Sequence, residues 1–207
     1  MALVLACAAA AHEPITTKIT WSAEIARIVY QRCAACHHEG GAAPMPLVTY
    51  EEARPWAKAI RDEVLNRRMP PWGAVKGYGE FENDAGLSQP EIDIIVQWVE
   101  GGAPEGDAAH LPVMPVFSDP PAPGTRLPAP QTIAPGRVRR AVRLAAIQPL
   151  EAAASIEVRA YLPGGAVLPL AWLQRPPLTP FVLRRPLKLP AGSRVAAYGG
   201  RVALLVY

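Results

Sequence analysis

Five consecutive residues, Cys33-Ala34-Ala35-Cys36-His37, carry the strongest chemical signal in the chain. Two thiols at this spacing at a helix end can reach both vinyl groups of one porphyrin, and the next residue then sets an imidazole below the iron. The same cysteine spacing also serves redox dithiols and half of a zinc site. Zinc needs two more ligands. Only Cys7 remains as a further cysteine, and His38 and His110 stand at no familiar spacing. A dithiol calls for a thioredoxin-like βαβ context that is absent here. The expected chemistry is covalent attachment of one haem c at Cys33 and Cys36, with His37 as an axial iron ligand.

The iron then needs a second axial ligand or an open position. Met45, Met69, Met114, His38, His110 and, if retained, His12 are the available side chains. Met69 stands out. It follows a full helix 32 residues after His37, and Met69-Pro70-Pro71-Trp72 forces extended backbone suited to a ligand loop. Met45 is only eight residues from His37, which keeps it on the same side of the ring. Histidine/methionine ligation gives a closed iron suited to electron transfer rather than oxygen chemistry. Around it, Pro44 is expected to offer a backbone carbonyl to His37 Nδ1–H, fixing the ring. Leu47 is expected to pack on the haem. Trp72, like Trp56 and Trp98, is expected in the haem pocket or in helix packing.

The elements that must position these groups fall into three stretches. Residues 18–110 read as helices. Ser22 is a plausible cap for the helix leading to Cys33. Thr49-Tyr50-Glu51-Glu52 forms a capping box opening a helix through Leu65, with a break at Pro55. Ser88-Gln89-Pro90-Glu91 opens another, with Ile92, Ile95, Val96 and Val99 on one face and Gly101-Gly102 as its stop. Residues 111–136 read as a proline-rich linker, since nine prolines fall from Pro104 to Pro135. Residues 137–207 read as a small antiparallel β-domain. Ile156–Leu162 alternates apolar and polar residues, and Phe181–Leu187, Arg194–Tyr198 and Val202–Tyr207 are further short segments bounded by Pro and Gly.

Residues 26–117 resemble the class I cytochrome c domain of bacterial proteins related to copper type II ascorbate-dependent monooxygenases. The matching stretches include Cys33–His37, Ala43-Pro44-Met45-Pro46-Leu47, Thr49-Tyr50-Glu51, Arg54-Pro55-Trp56-Ala57, Met69-Pro70-Pro71-Trp72, Phe81-Glu82-Asn83-Asp84, Leu87-Ser88, Trp98 and Gly101–Asp107. The resemblance implies an α+β multidomain chain: an all-α class I cytochrome c domain, the linker, and a sandwich-like β-domain. It also implies Met69 as distal ligand. The β-domain is only loosely similar to the monooxygenase end, and it departs where chemistry matters. Copper there is held by histidines and a methionine, whereas residues 111–207 contain no histidine or cysteine and only Met114. No copper site is expected, and the β-domain reads as a docking or assembly module.

Charge divides the chain the same way. Residues 12–110 hold 9 Lys+Arg against 15 Asp+Glu, a net of −6, and residues 111–207 hold 12 against 3, a net of +9. The basic half is expected to dock on the acidic half or on an acidic redox partner. No nucleic-acid motif is present. The opening MALVLACAAAA resembles a secretory leader over 1–11 ending at Ala9-Ala10-Ala11, or a lipoprotein signal with Val4-Leu5-Ala6 before Cys7. Either gives a periplasmic protein, in the second case lipid-anchored at Cys7; an ordinary N-terminus is the third reading. No later stretch reaches the roughly 20 apolar residues of a membrane span. The expected function is monohaem electron transfer, as carrier or complex subunit rather than enzyme. The alternatives are a haem enzyme (peroxidase or monooxygenase-like oxidase) and a scaffold stabilised by haem.

Overall fold

The computed structural model describes residues 18–117 and 130–207. The leader at 1–11, Cys7, His12 and the Asp119–Gly124 run lie outside the described residues. The architecture is mixed: a few short helices and two antiparallel sheets. The chain forms two compact units, each built from two separate stretches. The first comprises Met1–Arg61 with Gln89–Pro115, the second Asp62–Ser88 with Val116–Tyr207.

In the first unit a π-helical turn, Trp21–Ile25, runs into α1, Ala26–Arg32. Its cap is Thr20, not Ser22. The Thr20 hydroxyl accepts from Ala23 N–H at 3.2 Å, while Ser22 donates its hydroxyl to the Glu105 carbonyl at 3.0 Å. The capping box at Thr49 is complete: Thr49 Oγ1 accepts from Glu52 N–H and Glu52 Oε2 accepts from Thr49 N–H. It opens α2, Tyr50–Ala53, followed by a 3₁₀ turn at Arg54–Trp56 where Pro55 interrupts the run. Helix α3, Ala57–Leu65, follows, with the division between units falling after Arg61. Helix α4, Gln89–Glu100, buries Ile92, Ile95 and Trp98. It ends on Gly102 at φ +90°, a left-handed position that glycine takes at little cost. Trp21 packs against Trp98 and Tyr50 at ring separations of 6.1 and 6.4 Å. Trp98 Nε1–H and Trp21 N–H both donate to the Pro104 carbonyl, satisfying the polar atoms of this apolar cluster. Trp98 is thus structural, whereas Trp56 is exposed.

The second unit carries the strands β1 (Gln131–Ile133), β2 (Val142–Pro149), β3 (Ser155–Tyr161), β4 (Val167–Gln174), β5 (Phe181–Leu189), β6 (Arg194–Tyr198) and β7 (Val202–Val206). They form a four-stranded sheet ordered β1-β7-β2-β5 and a three-stranded sheet ordered β4-β3-β6. Alternation in β3 turns Ile156, Val158 and Ala160 inward. They join Leu144, Ile147, Leu170, Leu173, Phe181, Leu189 and Leu204 in one core fed by both sheets.

The expected boundaries shift in two places. β1 lies inside the stretch read as linker and pairs with β7. More consequentially, residues 62–88 belong with the strands. Ala74 bridges Leu173 on the free edge of β4, where Val75 N–H donates to Trp172 O and Gln174 N–H to Gly73 O, each at 2.8 Å. A few residues on, Phe81 bridges Leu183 on the free edge of β5, with Glu82 N–H donating to Val182 O at 2.8 Å. Residues 72–84 thus form a strap that occupies one edge of each sheet, satisfying backbone groups that would otherwise be unpaired. Close approach demands glycine: a Cβ on Gly73 would stand 2.3 Å from Gln174 O, and one on Gly79 2.4 Å from Leu170 O.

Candidate functional site

Helix α1 delivers the two cysteines. Its hydrogen bonding continues past Arg32, with Cys33 N–H donating to Val29 O at 2.9 Å. Cys36 and His37 N–H then both donate to Cys33 O, at 3.1 and 3.0 Å, so residues 33–37 close a single tight turn. Both thiols are free; Cys33 is half-buried and Cys36 exposed. Burial pushes the Cys33 thiol up to about 12, with Arg32 pulling the other way. A thiol held protonated is a poor redox nucleophile, which weighs against the dithiol reading. Among the described residues, no three of His, Cys, Asp and Glu come together as a metal cluster, so the cysteine pair gains no zinc partners there.

His37 is held by the loop that follows. Its Nδ1 lies 3.0 Å from the Met45 carbonyl, and Leu47 N–H donates to His37 O at 3.0 Å. A carbonyl only accepts, so Nδ1 carries the proton and the Nε2 lone pair is left for a metal. The carbonyl expected from Pro44 therefore comes one residue later. Pro44 is exposed, and Pro46 restricts Met45 toward extended backbone. Leu47 is buried next to this contact. His38 Nδ1–H donates to Ala34 O at 2.8 Å, tying the neighbouring imidazole to the turn.

Sequence reasoning missed Gly41. Ala43 N–H donates to Cys36 O at 3.0 Å, and the chain passes so close that a Cβ on Gly41 would lie 2.4 Å from that same oxygen. The visible signal was Gly40-Gly41 placed between the histidines and the proline loop. Arg32 and Glu91 add a half-buried ion pair at 2.9 Å between the end of α1 and the start of α4.

The Met69 loop belongs to the second unit. After α3 the chain turns at Arg67, φ 50°, and Arg68 makes a two-pronged ion pair to Glu63 at 2.8 and 2.7 Å. The hydrogen bond from Arg68 holds the Glu63 carboxyl below the usual value. Met69 follows, joined to Pro70 by a cis peptide, and its side chain is 43% exposed. It is not part of the core cluster, whereas Trp72 is. Its indole lies 4.6 Å from the Phe181 ring and 5.9 Å from Phe81, buried in the core of the second unit. Trp72, expected in the haem pocket or in helix packing, here packs into the core at the start of the strap.

The donor set of the first unit fits haem c: two unpaired thiols on one turn, and a histidine whose Nδ1–H is already engaged. No protein-family model, curated protein or solved structure matches the chain.

Proposed function

We propose that the chain is a monohaem c-type cytochrome that moves electrons in the periplasm, as a free carrier or as the cytochrome subunit of a larger redox complex. The observation that carries this is the turn at Cys33–His37, with His37 Nδ1 fixed on the Met45 carbonyl. Haem bound there supplies a one-electron iron couple. Cys33 and Cys36 would hold the haem covalently through their sulfurs. His37 would hold the iron through Nε2. The Met45 carbonyl keeps the proton on Nδ1 and fixes the ring plane. Met69, exposed and next in sequence to the Arg68 that pairs with Glu63, would be the second iron ligand of this reading. The resemblance of the Met-Pro-Pro-Trp run to cytochromes linked to copper monooxygenases supports the same assignment.

The second unit takes no copper in this reading, because residues 62–88 and 130–207 contain neither histidine nor cysteine. Among the described residues, no helix is long and apolar enough to cross a membrane. The decisive experiment is the intact mass of the exported protein with its visible spectrum. A mass gain of one haem that survives acid-acetone extraction is expected. A chain with two free thiols and no haem refutes the reading.

A further inference from the structure

The outward face of the three-stranded sheet is tiled with arginine and tyrosine. β3 turns Glu157, Arg159 and Tyr161 out, and β6 turns out Arg194, Ala196 and Tyr198. Glu157 stands opposite Tyr198, Arg159 opposite Ala196, and Tyr161 opposite Arg194. On β6 only the Ala196 methyl stands opposite Arg159, with Pro169 of β4 on its other side, and the two tyrosine hydroxyls lie 2.8 Å apart. The Arg194 guanidinium lies 4.3 Å from the centroid of the Tyr161 ring, and that of Arg159 lies 6.0 Å from Tyr198. The Tyr198 hydroxyl and the two arginines hold the Tyr161 hydroxyl below the ordinary phenol value. The tile is therefore preorganised: two rings and two guanidiniums are fixed by one another before anything binds.

Its charge is not balanced. Arg137 bridges Arg194 directly, a like-charge neighbour pair that costs stability. Glu157 pairs with Arg159 at 2.6 Å, while Arg194 makes no ion pair among the described residues. Among the described residues, the one carboxylate of this face thus pairs with only one of its three guanidiniums.

We propose that this face of β3 and β6 docks an acidic protein partner, whose carboxylates are taken up by Arg137, Arg159 and Arg194 around the paired tyrosines. Identifying that partner as a redox protein rests on the electron-transfer reading above. Charge complementarity argues for the acidic surface. The residue types argue for a protein: tyrosine and arginine dominate protein interfaces, and rings already fixed lose little freedom on binding.

The test uses the full chain and a fluorescent polyglutamate peptide, followed by anisotropy at low salt, with thermal unfolding recorded for every variant. Arg194→Ala is expected to weaken binding about tenfold, and the double change Tyr161→Phe with Tyr198→Phe several-fold without altering charge. Arg185→Ala on β5 removes the same charge elsewhere and is expected to change affinity less than about twofold. Equal losses from Arg194→Ala and Arg185→Ala would mean that only net charge matters, which overturns the proposal. So would tighter binding to phosphatidylserine vesicles than to the peptide with only the vesicle binding lost in Arg194→Ala, since the face would then be a membrane contact. Should Arg194→Ala fail to fold, the double phenylalanine variant decides, and unchanged affinity there is equally fatal. None of these readings depends on haem, so a haem-free mass would refute the cytochrome reading and leave the docking result standing.

Discussion

Replacing Gly41 by alanine probes whether the Cys33–His37 turn needs the loop that wraps it. The added Cβ would sit 2.4 Å from Cys36 O, where contacts under 3.0 Å essentially never occur, so something must move by at least 0.6 Å. The obstacle is backbone, and the same oxygen accepts the Ala43 N–H at 3.0 Å. Losing that bond costs about 0.5–1.5 kcal/mol, and bending the turn adds about as much again, giving about 1–3 kcal/mol. Gly40→Ala is the matched control. Gly40 has open space but sits at φ +76°, so alanine there meets conformational strain alone, about 1–2 kcal/mol. The two variants should therefore unfold at similarly reduced urea concentrations, yet differ in haem content. Displacing Cys36 O moves the cysteine that must form a thioether, so Gly41→Ala should load distinctly less covalent haem than Gly40→Ala. Haem per chain is read from the alkaline pyridine spectrum. Full loading and unchanged stability in Gly41→Ala would refute the close-packed turn.

Met69→Ala should lower the midpoint potential and abolish the weak methionine-to-iron absorption at the red end of the oxidised spectrum. An unchanged spectrum would hand the ligand role to another residue, Met45 or His110 first. Trp72→Ala should destabilise the second unit by about 3–5 kcal/mol by emptying its place between Phe81 and Phe181. Haem content and the main haem absorption should stay as they were, and a shifted haem band would return Trp72 to the pocket. In the haem-free chain, iodoacetamide should reach exposed Cys36 well before Cys33. Folding raises the Cys33 thiol from 9.0 to about 12, so the folded state binds this proton more tightly. Its contribution to stability is complete below pH 9 and is lost as the pH rises from 9 toward 12. A thioether has no such proton, so urea titrations of the haem-loaded chain should not show this loss.

What could be read from the residues was what neighbours decide. The Thr49 capping box, the break at Pro55 and the end of α4 at Gly101-Gly102 all depend on side chains within a turn or so of one another, and all are present. The alternation in β3 was equally visible. β2 was not, because Leu144–Ile147 is buried without interruption and shows no period. β4 was hidden by Pro169, which sits in the strand where the register against β3 shifts between Val158 and Arg159, a place that tolerates proline. In the site, the loop after His37 was legible but not which carbonyl turns inward, because a single peptide rotation decides between Pro44 and Met45. The strap escaped altogether. Trp72, Ala74 and Phe81 follow no helical or strand period, and the edges they cover lie about a hundred residues downstream.

That separation makes synthesis itself a constraint. Asn83 donates Nδ2–H to Pro180 O and accepts Val182 N–H, reaching 97 and 99 positions along the chain. Residues Trp72 and Phe81 leave the ribosome long before the strands that will enclose them. The wait does not end with β5. β7, which follows β5 and β6 in the chain, is an interior member of its sheet, between β1 and β2. Until it arrives, the unenclosed Trp72 and Phe81 and an unfinished sheet coexist on one nascent chain, where they invite sticking to other chains. A stop codon or protease cut shortly before Val202 would therefore be expected to lose the whole second unit rather than one strand. A cell making this protein would be expected to shield it until β7 emerges.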